Sequence, residues 1–147
     1  MWSGEGARIS LASLERDAPF SAYPGFDRTF CLLGPHAVTM FVDGNARVLV
    51  PGGWTSFAGE TEVAARVDAG PVRAINVMTE RGLARHAVER ACGPVDGAML
   101  AALAGDAGRY DAGDLILPPC PAELTGSFLA VRIQRRPSDA RPASNGS

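Results

Sequence analysis

Two polar side chains stand in this chain where buried strands ordinarily place aliphatics. Asn76 interrupts the apolar run "VRAINVM" at 72–78, and Arg28 interrupts "FDRTFCLL" at 26–33. An amide or a guanidinium buried without partners is costly, so each needs either protein partners or a polar ligand. The chemistry on offer is recognition: a guanidinium presents a planar fork of donors that matches a carboxylate, and an amide supplies one donor group and one acceptor. Strand periodicity sorts the neighbours. Arg28 shares its face with Phe26, Phe30 and Leu32, while Asp27, Thr29 and Cys31 share the other. Asn76 lies with Ala74 and Met78, opposite Arg73, Ile75, Val77 and Thr79. Such mixed faces suit the wall of a small barrel with a polar pocket. They suit equally an Arg28 paired with a neighbouring acid, Asp27 or Glu60, and an Asn76 that ties down a loop; the sequence leaves the two readings level.

Catalytic signatures are largely missing. There is no GxSxG elbow, no HExxH and no GxxxxGK[ST], and "SGEGAR" lacks both the last glycine of GxGxxG and a preceding strand. All 14 basic residues are arginine, which excludes Schiff-base, Walker-lysine and lysine-base chemistry. His36 follows a turn in "LLGP" and His86 stands alone among charged neighbours in "LARHAVER", so the sequence favours a structural role for each over a metal ligand. Tyr23, Asp27 and Glu60 are the candidate bases, none with an evident helper. Cys31, Cys92 and Cys120 are widely spaced and lack CxxC pairing, which points to free thiols.

The elements that would position these residues are short. "YPGFD", "VDGNA", "VPGGW", "DAGPV" and "CGPVDG" separate brief runs, most with a period of two, such as "RISLASL", "AVTMFV", "EVAARV" and "FLAVRI". That spacing predicts an all-β sandwich or barrel. "DGAMLAALAGDAG" has helical composition, but its bounding glycines favour a strand. A formal charge of -2 gives no basic field for nucleic acid, and "RIQRRP" reads as a solvated chain end. No run is long enough to cross a bilayer and "MWSGEGARIS" has no secretory pattern, so a cytoplasmic protein is expected. Residues 137–147, rich in Pro and Ser, read as a disordered tail.

Five segments, taken in order, carry a family resemblance: R-[IV]-S-[IL]-A at 8–12, D-x-P-F-S at 17–21, P-G-x-D-R at 24–28, F-x-G-[DE] at 57–60 and G-P-x-R-x-x-N-V-M at 70–78. In them the chain resembles the HutD/Ves family of cupin-like proteins, over roughly residues 7 to 135. The resemblance implies an all-β, RmlC-like cupin β-barrel in a compact bicupin-like arrangement: a single unit at 7–136, with an N-terminal half at 7–80 and a C-terminal half at 81–136. It also implies a non-catalytic binder of a small carboxylate metabolite, with a regulatory role in histidine utilisation or in stress response. Arg28 and Asn76 are the expected ligand residues, with Glu60 and Arg8 as further members. The H-x-H pair that cupin enzymes use for a metal is missing here, so neither metal nor other cofactor is expected. The alternatives are a metal-free isomerase or lyase acting on a small carboxylate, and a scaffold that dimerises. The family also carries a W-x-N-G loop where "MWSGEGA" stands, so a shortened start is expected, leaving a sheet edge for another segment or a second copy to cover.

Overall fold

The computed structural model describes residues 2–103 and 110–136, and every regular element among them is a strand. In chain order these are β1 (Trp2–Gly4), β2 (Ala7–Leu14), β3 (Ala18–Pro19), β4 (Phe26–Gly34), β5 (Val38–Val42), β6 (Asn45–Leu49) and β7 (Trp54–Ala58). They continue as β8 (Val63–Arg66), β9 (Val72–Glu80), β10 (Ala84–Ala91), β11 (Met99–Ala102), β12 (Leu115–Ile116) and β13 (Phe128–Arg135). Tight turns make the short strands possible. The β5–β6 hairpin, for example, turns on Asp43 and Gly44 at φ 51° and 79°, and two positive φ values in a two-residue loop match the right-handed twist of the strands it joins.

Three antiparallel sheets form, in the orders β1-β2-β9-β4-β7, β3-β8-β5-β6 and β10-β13-β11-β12. The first and second face each other across Phe30, Leu32, Val38, Met40, Val42, Leu49, Val63 and Ala74, which make the interior of an N-terminal barrel. The outer face of the first sheet, with Ile9, Cys31, Leu33, Ile75 and Val77, packs on Met99, Ala101, Leu129 and Val131 of the third. Strands β4 and β9 are therefore buried on both faces, and this explains why their sequences run almost continuously apolar. The all-β barrel that the turn spacing predicted is the observed architecture.

Three local readings resolve. The "GAMLAAL" segment contains β11, whose alternate residues face two different cores: Met99 and Ala101 one, Leu100 and Ala102 the other. A strand covered on both sides loses its alternation, hence its helix-like composition. Secondly, "RIQR" is solvated, as its exposed arginines show, but it is a strand rather than a loose chain end. It continues β13, paired with β10, and Arg132 and Arg135 form ion pairs with Glu89 and Glu5. Thirdly, β1 pairs with β2 through Trp2↔Ile9 and Gly4↔Ala7 and covers the edge that a shortened start was expected to expose. The tail at 137–147 lies outside the described residues. None of the helices that would be needed to cross a membrane is found in the described residues.

Candidate functional site

Register brings three of the four sequence candidates onto one face. Arg8, Met78, Arg28 and Phe57 align in a single cross-strand row over β2, β9, β4 and β7, and Ser10, Asn76, Phe30 and Thr55 form the row beside it. This is the inner face of the barrel, at the end of the apolar core.

Arg28 is only 6% exposed. Its guanidinium carbon lies 5.1 to 5.4 Å from the ring centres of Phe20, Tyr23 and Phe57, and Nη1 donates to the Ser21 carbonyl at 3.0 Å. Among the described residues it has no carboxylate partner, and its buried Nε–H has no acceptor. Burial pushes its pKa down; Tyr23 opposes that shift and the charge of Arg8 adds to it. Two guanidinium groups thus share a neighbourhood, and among the described residues no acid forms an ion pair with either. Arg8 itself is exposed, and its Nη2 reaches the Met78 sulfur at 3.8 Å. Asn76 Oδ1 is buried and accepts no hydrogen bond in the described residues. The face thus holds one buried donor and one buried acceptor without a partner among the described residues.

The reading in which Arg28 pairs with Asp27 or Glu60 does not hold. Arg81 takes both acids: Nε donates to Asp27 Oδ1 at 2.8 Å, and its two terminal nitrogens bond Glu60. That pairing, with a further bond from the Gly25 amide, holds the Glu60 carboxyl down to about 2. Glu60 therefore stands away from the face that Arg8, Arg28 and Asn76 share. The period-two argument could not place it, because it lies in the turn after β7. The loop-tether reading of Asn76 fares no better, since its side chain bonds no loop among the described residues.

Sequence reasoning missed Phe20 and Ser21 as covering residues and singled out Tyr23 only as a candidate base. Phe20, Ser21 and Tyr23 come from the segment between β3 and β4, which has no periodicity to read. Tyr23, Phe26, Arg8, Met78 and Glu80 also line a cleft of about 290 Å³; two of them are neighbours of Arg28, Tyr23 through its ring and Met78 as its cross-strand partner.

On the reverse of β4 and β9 lies a separate polar chain. His86 Nε2 and Nδ1 each sit 2.8 Å from a threonine hydroxyl, of Thr29 and Thr79, and Thr29 continues to Ser56 Oγ at 2.8 Å. Both ring nitrogens are thus used by the protein, as the structural reading of this histidine requires. Among the described residues no three His, Cys, Asp or Glu side chains gather as a metal-binding group. Burial lowers the His86 pKa, partly offset by Asp27. A folded-state pKa below the ordinary value near 6.5 means that the unfolded chain binds the proton more readily. His86 should therefore contribute full stability above about pH 6.5 and lose it as pH falls below that. Thermal midpoints measured from pH 8 to pH 5 should show this decline, and His86→Gln should flatten it; equal slopes in both proteins would refute the assignment.

A family model described as HutD matches residues 6–107. The chain belongs to the HutD family. A curated relative, an uncharacterized 21.2 kDa protein in the hutC 3′ region of Pseudomonas putida, is 32% identical over 76 residues, 51% of this chain and 40% of its own length. The chain thus spans less than half of that relative. Among solved structures, HutD from Pseudomonas fluorescens SBW25, in a formate condition, superposes with a TM-score of 0.72 at 22% identity, covering 90% of this chain and 80% of that one. A conserved protein of unknown function from Pseudomonas aeruginosa PAO1 gives 0.71 at 19% identity, over 90% and 84%. A cupin 2 conserved barrel domain protein from Leptotrichia buccalis gives 0.57 at 14%, over 91% and 86%. At these identities the structures speak for the fold alone, a cupin barrel, and family membership rests on the family model.

Proposed function

We propose that this HutD-family chain is a non-catalytic, cytoplasmic binder of a small carboxylate metabolite, with a regulatory role in histidine utilisation. The observation that carries the reading is the complementary pair of orphans on one face: the Arg28 Nε–H without an acceptor and the Asn76 Oδ1 without a donor. A ligand that satisfies both carries a carboxylate together with an N–H or O–H group. Arg8 supplies a second positive charge at the rim, and three aromatic rings exclude water from the guanidinium, which strengthens a charge-assisted bond made there. The hutC neighbourhood of the Pseudomonas putida relative supports the setting.

A metal-free isomerase or lyase finds less support. Of its candidate bases, Asp27 and Glu60 are both engaged by Arg81, which leaves only Tyr23 beside the face. The test is a thermal-shift screen with formate, N-formylglutamate, urocanate and acetate. A ligand at a hundred times its dissociation constant adds about 2.7 kcal/mol to the folded state. Carboxylates that also donate a hydrogen bond should raise the midpoint more than formate or acetate. If no carboxylate moves it, the reading fails.

A further inference from the structure

Resting on that binding reading, we propose that segment 20–25 is the gate to Arg28 and that Arg81 is the positioning residue that keeps it shut, acting through Glu60. Four observations converge on it. Segment 20–25 crosses the buried guanidinium, giving it the Ser21 carbonyl and the rings of Phe20 and Tyr23. It is seated directly on the turn after β7: Tyr23 N–H donates to the Gly59 carbonyl at 2.8 Å and Gly59 N–H to the Phe26 carbonyl at 2.6 Å. A Cβ at Gly59 would collide with the Tyr23 carbonyl oxygen, so this position requires glycine. Lastly, its far end is latched. Glu60 accepts from the Gly25 amide at 3.2 Å, the Arg81 amide donates to the Gly25 carbonyl at 2.9 Å, and the Arg81 side chain ties together Glu60, Asp27 and the Phe26 carbonyl.

The consequence is mechanical. Arg28 is almost wholly covered, and Tyr23, whose ring lies over its guanidinium, lines the neighbouring cleft. An anion entering from that cleft must displace the Tyr23 ring, and one that takes both faces of the guanidinium fork must replace the Ser21 carbonyl. Both groups ride on the same segment. Entry of a ligand and lifting of the segment are then one event, and the ion pairs at its foot set how often it occurs. The arrangement also gives Glu60 a role that the sequence had assigned to direct contact.

Arg28 accessibility can be read without any ligand, as the rate at which phenylglyoxal modifies Arg28, followed by peptide mass spectrometry. Glu60→Gln removes one charge of the latch and should raise that rate roughly two- to fivefold, the range that an exposed ion pair supports. Amide exchange at Tyr23 and Gly25 should accelerate with it, while that at Val77 and Leu129 stays unchanged. Arg81→Lys, which keeps the charge and loses the fork, should fall between Glu60→Gln and the parent. Gly59→Ala forces the segment off its seat and should exceed both. Formate, added as the probe, should protect Arg28 in every variant. Unchanged modification in Glu60→Gln and Gly59→Ala overturns the gate, and so does a rise matched by faster exchange at Val77 and Leu129, which would be general loosening. Faster modification without protection by formate upholds the gate and counts against carboxylate binding instead.

Discussion

Arg28→Met is expected to weaken carboxylate binding severely while raising the stability of the unliganded protein. Arg28 is 6% exposed and has no carboxylate partner among the described residues, so the folded state bears the desolvation of a lone cation. Against that stand one hydrogen bond to Ser21 and three aromatic contacts at 5.1 to 5.4 Å, which together offset about 2 to 3 kcal/mol. Methionine keeps most of the aromatic packing through its thioether and brings no charge. Replacing buried charges with apolar groups of similar volume is often neutral or stabilising by roughly 1–4 kcal/mol, and a gain near the low end of that range is expected. Loss of the guanidinium should weaken carboxylate binding roughly 30-fold or more, the effect of deleting one partner of a buried charge pair. Arg28→Lys separates fork from charge: it should bind poorly yet melt close to the parent. Thermal unfolding of all three proteins, with and without ligand, decides. A lower midpoint for Arg28→Met together with undiminished binding would make Arg28 a structural residue.

The same contrast explains how far the sequence could be read. Arg28 and Asn76 were legible because they lie inside regular strands, where a period of two fixes the face, and strand pairing then set Arg8 beside them across β2, β9 and β4. Glu60 was misplaced because it lies in a turn, where side-chain direction follows local φ and ψ rather than a repeat. Phe20 and Ser21 went unread as site residues for the same reason, and Tyr23 stood out only as a candidate base: segment 20–25 owes its course to Gly59 and to the Arg81 ion pairs, contacts between residues far apart in the chain. The polar chain from Ser56 through Thr29 and His86 to Thr79 joins three strands of one sheet to a strand of another. No single-strand pattern encodes it. The barrel itself was plain because its signal, many short runs between turns, is local.

The C-terminal sheet gives the second large effect, and it separates folding from binding. Leu129 is fully buried in β13, within the cluster that joins the third sheet to the outer face of β4 and β9. Leu129→Ala removes apolar atoms and leaves a cavity in a region where both backing strands are fixed by their own ladders, so the site can collapse only partly. The expected loss is roughly 2–5 kcal/mol, a fall of about 5 to 15 °C in the midpoint for a domain of this size. Arg28 and Asn76 project from the opposite face of those same strands, and their register depends on β2 and β7, not on β13. The increment that a bound carboxylate adds to the midpoint should therefore survive in Leu129→Ala, although both midpoints are lower. Should the increment vanish while the variant stays folded, the two faces are coupled through β4 and β9, and the C-terminal sheet would be part of the binding device rather than its support.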